Sequence, residues 1–394
     1  MDSSPIKSTA QKIRLPYLDG LRGLAALYVV IFHIWLLSDD NFPGLWNHIR
    51  KLFRYGELGV VVFIVLSGYC LMLPVSRSQS GFIPGGLWEF FKRRGRRILP
   101  PYYAALGFSI LLALIILGLQ KFTNFHWNDS LGGAAAALFY VNFSFTDVIT
   151  HLLLIHNFGP EHQIYGINGP MWSVALEWQI YFLLPLLFLP IWRRLGWFWL
   201  VIIVFVLGLI PHYLMNGFID RSHPWFMGAF VMGMLAADIS FSDQPHLQWM
   251  RKSLPWGVLT ILVIILALLA EWQKFGLEKL VNQSILGVAT ACFLIYCSNF
   301  YIDQKRLSPL VQVLQSPFCI LLGEFSYSLY LTHAPVLKIL ANVVHNLQLS
   351  QLRMAIIEYV LGISLSLILA YLFYLVFERP TKSSSFWKRK LKGA

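Results

Sequence analysis

Charge is scarce in this chain. Asp, Glu, Lys and Arg make up 13% of its 394 residues, about half the share found in ordinary soluble domains. A water-solvated globular surface is therefore excluded, and a mean hydropathy of +0.61 places the chain among polytopic membrane proteins. Cysteine is scarce too. Cys70, Cys292, Cys297 and Cys319 are the whole complement, each in an apolar stretch. They form neither a disulfide framework nor metal-ligand spacing, so no metal is expected. The first twenty residues are polar and lack a cleavable signal pattern. There is no long hydrophilic domain, no low-complexity tract and no internal period. Acidic residues number 19 against 31 Lys and Arg. That excess of +12 is read first against membrane topology, and no nucleic-acid partner is expected.

What is abundant is apolar sequence. Segments long enough to span a bilayer occur near 17–38, 57–75, 99–119, 171–191, 197–215, 223–239, 255–271, 283–301, 317–343 and 354–377. The expected fold is an all-α polytopic bundle of about ten transmembrane helices with both termini cytoplasmic. Residues 1–16 form a cytoplasmic tail, 17–380 one membrane domain and 381–394 a basic cytoplasmic tail. The Ala-rich segment 131–145 decides this arrangement. If it lies at the outer face or re-enters, most of the 31 Lys and Arg fall on the cytoplasmic side. If it spans, the bias reverses downstream. The positive-inside rule favours the first.

Four polar constellations interrupt the apolar segments. In the first, Arg22 and His33 are eleven residues apart, which on a helix is within about 20° of a whole number of turns. Both side chains share a face, roughly 16 Å apart along the axis. Arg22 alone reads as a snorkelling anchor and His33 alone as a packing histidine; the shared face favours function. The second, Phe90-Phe-Lys-Arg-Arg94-Gly-Arg-Arg97-Ile-Leu-Pro-Pro-Tyr102, reads either as a positive-inside anchor or as a phosphate site. In the latter, Arg94 and Arg97 present planar forks at i, i+3, and Pro100 and Pro101 fix how the next helix enters. In the third, Ser173, Glu177 and Tyr181 form one stripe of a helix. A paired structural carboxylate is the plainer reading of Glu177; orienting a histidine or an attacking hydroxyl is the other. In the fourth, Ser326, Tyr330 and His333 share a face, either as interhelical hydrogen-bonding groups or as the lining of a polar cavity. Glu378-Arg379-Pro380 ends the last segment, where a salt bridge is expected. Gly166-Ile-Asn-Gly-Pro170 lies in the longest non-spanning stretch, 120–170.

Taken together these residues resemble the acyltransferase-3 family of integral membrane acyltransferases. The likeness rests on Tyr17-Leu-Asp-Gly-Leu-Arg-Gly-Leu-Ala-Ala leading into the Arg22/His33 spacing, on Ser67-Gly68, on Arg94-x-x-Arg97 before Ile-Leu-Pro, and on Trp172-Ser173…Glu177…Tyr181. It continues through Ser326-Tyr-x-x-Tyr330-Leu-x-His333 and Glu378-x-Pro380. The resemblance implies transfer of an acyl group, often acetyl, from acyl-CoA to a hydroxyl. Acyl-CoA would be a donor substrate rather than a permanently bound cofactor, and the acceptor a carbohydrate or macrolide-type alcohol. It also implies CoA phosphates at Arg22, Arg94 and Arg97 and catalysis at His33, as general base or transient acyl carrier. Glu177 is expected to assist, with Ser173, Tyr181, Ser326, Tyr330 and His333 as a supporting polar stripe. Some family members carry a fused extracytoplasmic hydrolase-like domain; none is expected here. The expected location is a bacterial inner membrane. The competing class is a proton-coupled transporter or flippase of a lipid-linked sugar or small metabolite, using His33, Glu177, Glu324, His333 and Glu358 as a relay. Against it stands the lack of paired repeats with matched broken helices. A palmitoylating enzyme is disfavoured by the absence of a cysteine cluster.

Overall fold

The computed structural model describes residues 15–38, 52–78, 80–129, 131, 137–270, 277–303, 307–347 and 349–382. Among these all regular structure is helical. The helices of eight or more residues are α1 (Pro16–Leu37), α2 (Leu58–Ser76), α3 (Gly86–Phe122), α4 (Phe145–Leu152), α5 (Met171–Leu183), α6 (Leu189–Leu214), α7 (Phe226–Phe241), α8 (Pro245–Ser253), α9 (Trp256–Ala270), α10 (Lys279–Ile302), α11 (Pro317–Asn346) and α12 (Gln351–Phe373). The two expected tails fall almost wholly outside the described residues.

Each of the ten expected segments coincides with a helix. Among the described residues, seven helical stretches are long and apolar enough to cross a membrane, or eight if the bent pair α8–α9 is one span. One of the seven runs from Met171 to Leu214 and is broken at Gly196, whose φ of 79° only glycine adopts freely. α11 is long enough but not apolar enough, because Glu324, His333 and Lys338 interrupt it. The chain is thus an integral membrane protein with a helical core. Of segment 131–145, residues 132–136 lie outside the described set. The remainder holds a short turn with Leu138, Phe139 and Val141 buried, and then the start of α4.

One expectation is corrected. α3 does not begin at the prolines. It starts at Gly86 and runs through Pro100 and Pro101 as one 37-residue helix. The basic cluster therefore sits on the helix, and Arg94 and Arg97 are true i, i+3 neighbours on its surface.

Small residues set how closely the helices approach. α1 packs along α11 and α2 along α7. A methyl group on Gly23 would meet the backbone nitrogen of Gly323 at 2.6 Å, and Gly68 and Gly233 are pressed against the opposing backbones of Phe230 and Val65. In lipid, where apolar side chains gain nothing by leaving the solvent, such close contact is what holds helices together. α11 starts at Ser316-Pro317, a hydroxyl N-cap on Cys319 N (3.3 Å) followed by proline at the first helical position. That start fixes the register carrying Ser326, Tyr330 and His333 toward α1.

A two-chambered candidate active site

Two cavities lie among the helices, the first between α1, α2, α3, α5 and α11, the second between α1, α2, α5, α7, α10 and α11 with the segment before α5. The first, about 80 Å³, opens near the N-terminal half of α1 and is lined by Arg22, Arg94, Arg97, Glu177, Tyr181 and Ser326, among others. The second, about 310 Å³, opens near the C-terminal half of α1 and is lined by His33. Val60 and Tyr330 line both, so one aromatic side chain of α11 stands between the chambers.

The arginine chamber collects residues from positions 22 to 330 of the sequence. Arg22 is braced by Asp19 one turn before it (3.2 Å) and by Cys70 Sγ (3.6 Å). Arg97 opens into the cavity and has no hydrogen bond or ion pair among the described residues, and Arg94 Nε is buried without a partner. Buried polar groups are normally satisfied, so the unpartnered Arg94 Nε, beside the exposed guanidinium of Arg97, makes this cavity the candidate anion site. The cavity's own carboxylate, Glu177, accepts a hydrogen bond from the Tyr181 hydroxyl (2.6 Å), and Tyr181 also meets Ser67 Oγ (3.2 Å). Ser173 Oγ bonds the Tyr330 hydroxyl at 2.6 Å.

The histidine chamber is organised by a contact between α1 and α11. His33 Nδ1 lies 2.7 Å from His333 Nε2, with the ring planes 8° apart. His333 Nδ1 is 3.0 Å from the Leu329 carbonyl oxygen. A carbonyl only accepts, so His333 Nδ1 carries a proton and its Nε2 is an acceptor. His33 Nδ1–H then donates to it, and the remaining nitrogen of His33, Nε2, keeps its lone pair. His333 is fully buried while His33 is partly open to the cavity.

Seven expected site residues outside the histidine pair, from Arg22 and Glu177 to Ser326 and Tyr330, line the first cavity together with Ser173. Glu177 does not touch His33; the partner of His33 is His333. Glu378 meets not Arg379 but Lys382 (2.7 Å), and its other oxygen accepts from the backbone and hydroxyl of Ser328 on α11 (3.1 and 2.5 Å). The salt bridge at the end of the last segment is thus made with Lys382. The turn before α5 is anchored through Asn168, which donates to Ser109 Oγ (3.0 Å) and to the Leu331 carbonyl (2.9 Å). Ile167 beside it is held at φ 63°, a conformation costly for a β-branched residue. This anchor fixes where α5 begins and hence where Ser173 and Glu177 stand. Sequence reasoning did not single out Gln283, Tyr165, Glu57 or Lys279, which line the second cavity. The available signal was the adjacent pair Asn282-Gln283 near the start of a largely apolar helix.

A membrane-embedded helical bundle with a cationic chamber joined to a histidine chamber defines the class. The chain belongs to the acyltransferase-3 family, whose model, described as an acyltransferase domain, matches residues 15–375. It is similar to O-acetyltransferase OatA of Staphylococcus aureus (strain NCTC 8325 / PS 47), with 24% identity over 410 residues, covering 94% of this chain and 58% of that protein. It is also similar to a candidate O-acetyltransferase of Staphylococcus aureus (strain COL), at 26% identity over 395 residues, 93% of this chain and 57% of the other. The chain thus spans a little under three fifths of the length of these relatives. No solved structure is significantly similar to it.

Proposed function

We propose that this protein is a membrane O-acyltransferase that moves an acyl group, acetyl in the first instance, from acyl-CoA to the hydroxyl of an acceptor. The observation that carries this reading is the junction of the two chambers. Unpartnered arginines lie on one side of Tyr330, and a histidine with a free ring nitrogen on the other. The CoA phosphates bind Arg94 and Arg97, with Arg22 beside them, through charge-assisted hydrogen bonds. The pantetheine arm reaches toward Tyr330 and presents the thioester to the junction.

His33 Nε2 takes the proton of the acceptor hydroxyl as its oxygen attacks the thioester carbon. The C–S bond breaks, and the departing CoA thiolate recovers that proton from His33. The products are the acyl ester and CoA. His333, anchored on Leu329, keeps His33 in the productive tautomer and stabilises the imidazolium. The Tyr330 hydroxyl, held by Ser173, is placed to stabilise the oxyanion. The same lone pair on His33 is able to attack the thioester itself. A burst of CoA release without acceptor distinguishes that route from direct transfer.

In this reading the ten helical segments span the bilayer with both termini cytoplasmic, the arginine chamber faces the cytoplasm and the histidine chamber faces outward, in a bacterial inner membrane. The asymmetry of Lys and Arg supports this orientation. The deciding experiment is transfer from labelled acetyl-CoA by the purified protein. Release of CoA with acylation of an alcohol supports the reading; a protein that neither binds nor cleaves acetyl-CoA sinks it. Reporter fusions within 147–170 and at the C-terminus should report opposite sides of the membrane.

A further inference from the structure

The last helix ends against α11 with a buried ion pair that has no part in the proposed chemistry. α12 passes into a π-helical turn, Tyr374–Glu378, and then a short helix, Arg379–Lys382. A π turn holds an extra residue, so it changes the face on which the following residues emerge. Glu378 closes that turn and is 2% exposed. One of its carboxylate oxygens accepts both the backbone N–H and the hydroxyl of Ser328 (3.1 and 2.5 Å). The other meets the ammonium of Lys382 at 2.7 Å. That ammonium also donates to the backbone carbonyl of Glu324 (2.8 Å) and lies over the Tyr374 ring. Ser328 N and Glu324 O are four residues apart, the two ends of a single rung of the α11 hydrogen-bond ladder. One ion pair thus grips both ends of one rung, the acid on its donor and the base on its acceptor.

We infer that Glu378, together with Lys382, is a positioning residue that sets where the Tyr330 hydroxyl stands at the junction of the chambers. The inference rests on the acyltransferase reading and deepens it. The gripped rung divides α11 in two. In the N-terminal half, Gly323 is pressed against the α1 backbone at Asp19, which fixes that half in place. The C-terminal half begins with Tyr330, two residues beyond Ser328, whose hydroxyl meets Ser173 on α5 at 2.6 Å. Side chains inserted into a helix ladder bend the helix at the point of insertion. The ion pair therefore governs the angle at which the C-terminal half leaves the fixed half. Tyr327 holds the same turn from another side, its hydroxyl donating to the Ile98 carbonyl of α3 at 3.1 Å. A helix satisfies its own interior backbone groups. Burying a carboxylate to bond them from outside thus supplies position rather than satisfaction, and it costs desolvation.

The test is a double-mutant cycle on the full-length protein in detergent, read as CoA release from acetyl-CoA with glycerol as the alcohol. Glu378→Gln keeps the shape and an acceptor for Ser328 but ends the ion pair. It should lower kcat about tenfold, the scale on which a misplaced oxyanion donor is felt, and leave the acetyl-CoA KM within about twofold. Tyr330→Phe removes the hydroxyl and should lower kcat by about 100-fold. In the Tyr330→Phe background, Glu378→Gln should then cost less than about twofold more, because groups acting through one another are not additive. Lys382→Met leaves the carboxylate on Ser328 and frees the Glu324 carbonyl. It should lower kcat about threefold, as suits a part-exposed ion pair, and lose that effect in the same background. It carries the test where Glu378→Gln folds poorly. The inference is overturned if kcat per folded protein is unchanged in these variants, if the acetyl-CoA KM moves instead, or if the single effects multiply in the double variants. A wild type that neither binds nor cleaves acetyl-CoA would overturn the acyltransferase reading itself, and this inference with it.

Discussion

The two chambers meet at one tyrosine and yet are charged in opposite styles. In the arginine chamber, Arg94 and Arg97 face a cavity whose own carboxylate is engaged by Tyr181. In the histidine chamber each carboxylate has its own base. An apolar, low-dielectric setting makes unmatched charge expensive. Among the described residues of the two chambers, the bases without a carboxylate lie where the proposed reading brings in a polyanion, and the carboxylates of the other chamber are each paired. Tyr330 lies at the boundary, and His33, backed by His333, stands just beyond it in the histidine chamber, where the proposed reaction brings the two substrates together.

Removing the histidine just beyond the boundary should have the largest effect. His33→Ala should lower transfer by roughly 100-fold or more, the usual contribution of a general base, while acetyl-CoA still binds. Retention of more than about a tenth of the activity would take His33 out of the chemistry. Next comes its partner. His333→Gln should cut kcat by about tenfold with both KM values nearly unchanged, and should alter the pH profile of kcat, because His33 is no longer held in one tautomer. A change confined to expression level would mark His333 as a packing residue.

Arg97→Lys keeps charge and topology but replaces a planar fork with a point charge. The acyl-CoA KM should rise about tenfold to a hundredfold, as expected for one charge-assisted hydrogen bond, and the acceptor KM should stay put. A shift in both constants would blur the division between chambers.

The smallest effect lies outside the chambers. His151 and His156, in the stretch between α3 and α5, stack at 3.8 Å and are both fully buried. Burial pushes His151 down to about 4, and burial together with the neighbouring ring pushes His156 down as well. Both stay neutral in the folded protein, whereas an unfolded histidine takes up a proton near pH 6.5. Their contribution is therefore fully present above about pH 6.5 and is lost as pH falls toward 4. The melting temperature should fall across that window, and His156→Phe should flatten the fall.

Much of the arginine chamber was legible in the sequence, and the reason is periodicity. Arg22, Arg94, Arg97, Glu177, Tyr181, Ser326 and Tyr330 each occupy a predictable helix face, and a polar group in an apolar helix has few places to go except a cavity. Periodicity says nothing about which face meets which. The pairing of His33 with His333 spans 300 residues, and no spacing within a single helix points to it. The start of α3 was misplaced because Pro100 and Pro101 read as an entry point, whereas the helix carries both in its interior. α11 reads as a span from its length but fails a test of apolarity through residues such as Lys338, which is fully buried and donates to the carbonyls of Asp129 and Leu131. Gln283 was overlooked because one amide in an apolar helix commonly serves helix packing alone.

The most direct test of the division needs no mutation. Cys70 lines the arginine chamber beside Arg22 and is partly open, whereas Cys292, Cys297 and Cys319 are buried. Its alkylation can be followed peptide by peptide by mass spectrometry in the native protein. The account predicts that acetyl-CoA slows modification of Cys70 strongly and that an acceptor alcohol alone leaves it unchanged. Equal rates with and without acetyl-CoA, or protection by the acceptor instead, would contradict it.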